Sequence, residues 1–137
     1  MAEKYLLEIL TPERSFFVEM VESVIFPTED GEMSIQKGHE SMVATIIPGE
    51  ARINTGNKWV MCAVSEGFVE VRPDETIMFT QTAEWPEEID VKRAQRAKER
   101  AEERLRQRQS EQEYQRSKIS MARAMARLAL TKRKTKL

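Results

Sequence analysis

The chain of 137 residues has one cysteine, one histidine, five glycines and five prolines. Each scarcity excludes something. A single cysteine, Cys62, cannot form an intramolecular disulfide, which fits a reducing compartment. Its neighbours Trp59-Val60-Met61-Cys62-Ala63-Val64 read as a core strand, so Cys62 is expected to be an inert buried thiol rather than a nucleophile. One histidine leaves no histidine-rich metal cluster and no Cys–His pair close in sequence. His39 follows Gly38 in a loop and is read as hydrogen-bonded to backbone. Neither GxxxxGK[ST] nor GxGxxG occurs, so the common phosphate loops are absent. The longest apolar runs are five or six residues, too short to cross a bilayer. The Met1-Ala2-Glu3-Lys4 start is not expected to be a secretory signal. A catalytic activity within this chain is not expected.

What is there divides sharply at Trp85-Pro86-Glu87-Glu88-Ile89-Asp90. Beyond Pro86 there is neither glycine nor proline, and the apolar period changes from two to a helical one. The charge changes sign at the same place. Residues 1–86 hold 6 Lys+Arg and 15 Asp+Glu, a net of −9, whereas residues 87–137 hold 16 and 8, a net of +8. A near-neutral total therefore hides an acidic body and a basic arm. With fifteen acids in the body, neighbouring carboxylates arise by chance and mark no hydrolytic site.

In the body, Tyr5–Leu10, Ser15–Met20, Val21–Phe26, Glu32–Ile35, Met42–Ile47, Glu50–Asn54, Lys58–Val64, Gly67–Arg72 and Glu75–Thr82 read as strands. Thr11-Pro12-Glu13-Arg14, Asp30-Gly31, Pro48-Gly49, Gly56-Asn57 and Pro73-Asp74 supply the turns. About ten short strands with frequent turns predict an antiparallel sandwich or barrel. In the arm, Asp90 is placed to cap a first helix with an alanine-rich stripe of Ala94, Ala97, Ala101 and Leu105. Ser110-Glu111-Gln112-Glu113 matches a capping box and predicts a second helix. Its apolar positions are Tyr114, Met121, Met125 and Leu128, widened by Ala122, Ala126 and Ala129, and Thr131–Leu137 reads as a frayed basic end. Small-residue faces make a hairpin able to dock on the body.

Arg96, Arg100, Arg104 and Arg108 recur every four residues, stacking like charges on one helix face. Glu102 can reach Arg106 and Glu99 can reach Arg96, which neutralises part of the ridge. The ridge is either a solvated face or a surface for an anionic partner: nucleotide phosphate, nucleic acid or an acidic protein. Nucleic acid fits less well, because the arm has one aromatic, Tyr114, and the body would repel a phosphate backbone. Arg123 and Arg127 lie one turn apart on the second helix. Folded back, they could approach Asp90, Arg93 and the first helix's amides, the ingredients for holding a nucleotide. Asp90 is also explained as a plain helix cap.

Several segments then resemble, in order and spacing, the epsilon subunit of the bacterial rotary ATP synthase. They are Leu10-Thr11-Pro12-Glu13-Arg14, Asp30-Gly31-Glu32-Met33 with Gly38-His39, Pro48-Gly49 and Gly67-Phe68-Val69-Glu70-Val71-Arg72-Pro73-Asp74. Ala83-Glu84, Ile89-Asp90-Val91-Lys92-Arg93-Ala94 and Arg123-Ala124-Met125-Ala126-Arg127-Leu128 complete the series. The resemblance implies an α+β chain, a β-sandwich over 1–86 and a regulatory helical hairpin over 87–137. It implies a non-catalytic rotor subunit in the central stalk, peripheral at the cytoplasmic face of the cell membrane, without membrane insertion or nucleic acid. Its partners would be the gamma subunit, the c-ring and the beta and alpha subunits of the catalytic head.

The resemblance further implies a hairpin that folds onto the sandwich or extends to impede ATP hydrolysis. In the extended form Arg96, Arg100, Arg104 and Arg108 would meet an acidic segment of beta. It implies no catalytic cofactor, but a regulatory ATP, with or without magnesium, at Glu84, Ile89, Asp90, Arg93, Ala94, Arg123 and Arg127. Ser34, Gln36 and Lys37 depart from the family pattern before Gly38-His39, and Glu66 stands where glycine is usual. A free-standing sandwich adaptor, gripping an acidic protein with its basic arm, is the alternative.

Overall fold

The computed structural model describes residues 3–107 and 111–136. Ten strands come first: β1 Tyr5–Leu10, β2 Ser15–Val21, β3 Ser23–Thr28, β4 Gly31–Gln36, β5 Met42–Ile46, β6 Gly49–Asn54, β7 Trp59–Val64, β8 Gly67–Val71, β9 Glu75–Thr80 and β10 Ala83–Glu84. A short 3-10 turn at Pro86–Glu88 leads to α1, Val91–Gln107, and α2, Glu111–Lys136. The strands form two five-stranded sheets, ordered β2-β1-β9-β8-β5 and β10-β7-β6-β3-β4.

Alternation decides which side chains face the space between the sheets. In β1, Tyr5, Leu7 and Ile9 are buried while Leu6, Glu8 and Leu10 are half-buried on the other face. Val24, Phe26, Ile35, Ile53, Cys62, Val69 and Met78 complete the same core. Tyr5 spans the two sheets, its hydroxyl donating to the Ile35 carbonyl at 2.7 Å, so the largest polar group of the core is satisfied. Cys62 is fully buried, and desolvation, reinforced by the Glu50 charge, pushes its pKa up to about 12. The thiol stays protonated and unreactive. His39 sits in its loop with Nδ1 2.9 Å from the Glu40 carbonyl oxygen.

The sandwich is antiparallel with one correction: β1 pairs with β9 in parallel, Leu6 opposite Glu75 through Leu10 opposite Phe79. Turn residues fix the direction of strands that follow one another, but β1 and β9 are separated by seven strands and no turn constrains them. Two predicted strands are also divided differently. The break expected between Met20 and Val21 falls at Glu22, where the chain leaves the first sheet (β2) for the second (β3). Glu75–Thr82 stops at Thr80, and the chain crosses sheets again before β10. Trp59, read as core, lies at the open end of β7 and is exposed.

Helix α1 begins where Asp90 predicts: its Oδ1 accepts from the Arg93 amide at 3.1 Å, and its carbonyl from the Ala94 amide at 2.9 Å. Ala94 and Ala101 are fully buried, and Ala97 and Leu105 partly so. Ser110, half of the expected capping box, lies outside the described residues. In α2 the buried residues are Ser117, Ala124 and Leu130, whereas Met125 and Ala129 are exposed. This corrects the expected apolar face at Met125 and Ala129, while Tyr114, Met121, Ala122, Ala126 and Leu128 are half-buried. The helix lies between α1, whose alanines select small neighbours, and the second sheet, which takes arginines as well as Leu130, so hydrophobicity alone misplaces the buried face. The helix also runs on to Lys136 through the stretch read as frayed.

Backbone proximity singles out Gly67 at the start of β8, where an added Cβ would lie 1.8 Å from the Phe79 carbonyl oxygen in the adjoining strand. Gly67→Ala is therefore expected to cost about 3 kcal/mol of stability, by forcing β8 away from β9. A urea titration with unchanged midpoint would contradict this packing.

Candidate functional site

Pairing between strands places three residues side by side on the outer surface of the second sheet. Ala63 of β7 has Glu84 of β10 on one side and Glu50 of β6 on the other. Helix α2 docks on this row. Leu130 is fully buried against Ala63, Ile89 and the half-buried Met61. Arg127 reaches Glu84 on one flank: Nη2 donates to Oε2 at 2.9 Å, and Nε lies 2.9 Å from Oε1. Arg133 pairs with Glu50 on the other flank. One turn before Arg127, Arg123 pairs with Glu66 in the β7–β8 turn, its Nε donating to Oε2 at 2.7 Å.

The linker between sandwich and hairpin is fixed separately. Arg14, in the β1–β2 turn, places Nη2 2.8 Å from both oxygens of Glu88, and the Glu88 carboxylate accepts from the Trp85 amide at 2.9 Å. These bonds, the Arg14 one foremost, hold the Glu88 carboxyl below the usual range. Trp85 stacks on Phe16 with ring centroids 4.4 Å apart, and Arg14 lies 5.1 Å from the Phe16 centroid.

Between the β1–β2 turn, the approach to β10 and the two helices lies a groove of about 800 Å³. Its lining includes Arg14, Arg93, Arg100, Arg104, Arg123 and Arg127 against Glu13, Glu84 and Glu88. Arg14 and Arg127 are paired with Glu88 and Glu84, and Arg123 with Glu66. Arg93, Arg100 and Arg104 make no ion pair among the described residues, so the α1 wall presents uncompensated positive charge. Hydrogen-bond donors and guanidinium groups surround a space large enough for a nucleotide. The chemistry is that of an anion cradle.

Of the seven residues expected at a nucleotide site, the structure brings Glu84, Arg93, Arg123 and Arg127 to this groove. Ile89, Asp90 and Ala94 are not in its lining: Ile89 is packed under Leu130, Asp90 caps α1, and Ala94 is buried. The arginine ridge divides. Arg100 and Arg104 line the groove, Arg96 is exposed outside it, and Arg108 lies outside the described residues. Glu102 pairs with Arg106 at 3.9 Å as expected, while Glu99 accepts from Gln95. Sequence reasoning missed the roles of Arg14, Glu88, Glu50 and Arg133. Trp85-Pro86-Glu87-Glu88, a cap position followed three residues later by Glu, was the available signal for Glu88.

The groove lies at the junction of the two parts on which known families divide the chain. Residues 4–86 match the family described as ATP synthase, Delta/Epsilon chain, beta-sandwich domain, and residues 87–132 match ATP synthase, Delta/Epsilon chain, long alpha-helix domain. The chain belongs to the delta/epsilon chain family of ATP synthase. A relative named ATP synthase epsilon chain from Ruminiclostridium cellulolyticum is 49% identical over 130 residues, 95% of this chain and 97% of the relative. Another of that name from Alkaliphilus metalliredigens is 42% identical over 134 residues, 98% of this chain and all (100%) of the relative. Among solved structures, the mitochondrial ATP synthase of Euglena gracilis contains a chain with TM-score 0.78 and 24% identity, aligned over 94% of this chain and 82% of that one. A central-stalk and c-ring structure from Tetrahymena thermophila gives a TM-score of 0.54 at 15% identity, over 64% of this chain and 70% of that one. Those two likenesses concern the fold. A chain of this family is a non-catalytic subunit of ATP synthase. Among the described residues, no helix is long and apolar enough to cross a membrane.

Among the described residues, Leu130 is the one large apolar side chain of α2 that is fully buried, so Leu130→Ala is expected to remove about 2–4 kcal/mol of docking free energy. Hydrogen exchange in α2 should accelerate while the unfolding midpoint of the sandwich stays put. Unaltered α2 protection would show that the hairpin is held by other contacts.

Proposed function

We propose that this chain is the epsilon subunit of the central stalk, couples rotation to ATP synthesis, and restrains ATP hydrolysis through its hairpin, with ATP holding the hairpin down. The observation that carries the regulatory part is the composition of the groove. The sandwich provides Arg14 and Glu84, α1 provides Arg93, Arg100 and Arg104, and α2 provides Arg123 and Arg127. An anion bound there touches all three elements at once and meets that constellation only while the hairpin is docked. It therefore shifts the docking equilibrium by its differential affinity, by about 2.7 kcal/mol at a concentration one hundred times Kd. Undocking scatters the seven residues and exposes the arginines of α1 to an acidic segment of the beta subunit.

The stalk seat is supported by the opposite face of the molecule. The hairpin packs on the second sheet, leaving the outer face of the first uncovered. Registers bring Val18 and Met20 of β2, Leu6 and Leu10 of β1, and Phe68 and Phe79 of β8 and β9 onto that face. Val18, Met20 and Phe68 are about half exposed, Val43 of the neighbouring β5 more so, and the Phe68 and Phe79 rings stack at 4.8 Å. Glu8 and Glu70 stand in the middle row of this face, between Val18, Ile77 and Val43, and exposed apolar side chains set among a few charges make a protein-binding surface. Gamma is the partner we assign to it, with the c-ring beside it and the chain peripheral at the cytoplasmic face of the membrane. The free-standing adaptor gives no reason for this face.

Calorimetric titration with ATP, with and without magnesium, tests the ligand. The parent should bind, and Arg100→Ala and Arg127→Ala should each weaken binding about tenfold or more. Absence of binding by the folded parent would leave the arm governed by protein contacts alone. Co-expression with gamma tests the seat. The parent should co-purify with gamma, and Phe68→Glu, which buries a charge in the proposed interface, should abolish the complex. Retention of gamma by that variant would place the interface elsewhere.

A further inference from the structure

Among the described residues, Glu66 is the acid that pairs with a groove arginine from outside the lining. It stands in the turn between β7 and β8, backbone-tied by its carbonyl accepting from the Gln81 amide at 3.1 Å. Its carboxylate meets Arg123 fork to fork: Nε donates to Oε2 at 2.7 Å and Nη2 contacts Oε1. Arg123 is partly desolvated there, and burial lowers its pKa; a charged group so placed needs a counter-ion, and Glu66 supplies one.

We propose that Glu66 sets the affinity of the groove, as an intramolecular anion that occupies Arg123 and competes with an incoming phosphate for it. The inference rests on the anion-binding reading of the groove given above. A carboxylate and a phosphate present the same pair of oxygens to a guanidinium, and one fork cannot hold both in two-point geometry. Arg93, Arg100 and Arg104 are open to a ligand from the start, whereas Arg123 is gained only by displacing Glu66. The same contact ties α2 to the sandwich when no ligand is present. Glu66 therefore acts with opposite sign on two equilibria: it favours the docked hairpin and disfavours the bound anion. Glu84 plays a different part, because it lies within the lining and belongs to the row that seats the helix.

The test compares the full-length parent with Glu66→Gln and Glu66→Gly by calorimetry, using ATP and inorganic tripolyphosphate as separate probes. Because an apparent Kd varies inversely with the docked fraction, that fraction is measured alongside by hydrogen exchange of α2 amides. Once corrected for docking, both variants should bind ATP about three- to tenfold more tightly than the parent, and the ligand-free hairpin should exchange faster. Equal or weaker corrected affinity in both variants would overturn the role of Glu66 and leave the nucleotide reading intact. If ATP fails to bind any of the proteins while tripolyphosphate binds, and binds more tightly to the variants, Glu66 is upheld and the nucleotide reading falls. Binding of neither probe to any of the three proteins would overturn both.

Discussion

The seat of the second helix rests on a match between two repeats. Glu84, Ala63 and Glu50 belong to three neighbouring strands, and adjacent strands lie about 4.8 Å apart, so the outer two are separated by roughly 10 Å. Arg127 and Arg133 are six residues apart on a helix, a rise of about 9 Å. A helix laid across the strands can thus set an arginine on each carboxylate while Leu130, midway between them, falls on the alanine. Ala63 is small enough to admit the leucine, and its flanking acids pair the charges that a basic helix brings. The apolar contact supplies most of the attraction. The ion pairs, partly open to solvent, add little each but fix the register.

This interface explains which parts of the structure were legible in the sequence. The period of two, the turn residues and the loss of glycine and proline after Pro86 are local signals, and they located nearly every strand and the first helix start. Asp90 was readable because a cap acts on its own helix. The parallel pairing of β1 with β9 was not readable, since no turn joins them. Nor was the buried face of α2, which is dictated by a row of residues on three strands. An apolar-stripe argument favours Met125, yet the sheet wants Arg127, Leu130 and Arg133. In the groove, Glu84, Arg93, Arg123 and Arg127 were named from sequence, whereas Arg14 and Glu88 were hidden because their contact spans more than seventy residues.

The segregation of charge has a structural consequence beyond docking. Eight net positive charges on the arm face nine net negative charges on the body, but the carboxylates are spread around the whole sandwich. Those within reach of the hairpin are few: Glu50, Glu66 and Glu84 pair with α2, and Glu13 lines the groove. The α1 wall faces no such row, and Arg93, Arg100 and Arg104 are left without ion pairs among the described residues. Like charges one turn apart repel by a few tenths of a kcal/mol each. The docked hairpin therefore has three α2 arginines paired with the sandwich and three α1 arginines at the groove without such pairs.

On the proposed reading, that imbalance makes the arm responsive to its surroundings. A hairpin whose arginines were all paired by the sandwich would have nothing to gain from leaving it and no use for a ligand. With Arg123, Arg127 and Arg133 paired and Arg93, Arg100 and Arg104 not, two remedies exist for the same deficit. An anion can enter the groove and neutralise α1 where it lies, which deepens the docked state. Alternatively the arm can extend and find carboxylates on another protein, exchanging the pairs of α2 and the burial of Leu130 for new ones. On the proposed reading, nucleotide and acidic partner are rivals for the same guanidinium groups, and need never meet to oppose each other. The apolar face of the first sheet takes no part in this exchange, because it lies on the far side of the core. The subunit could stay seated on the rotor while its arm changed partners, which is the separation that a regulated stalk requires.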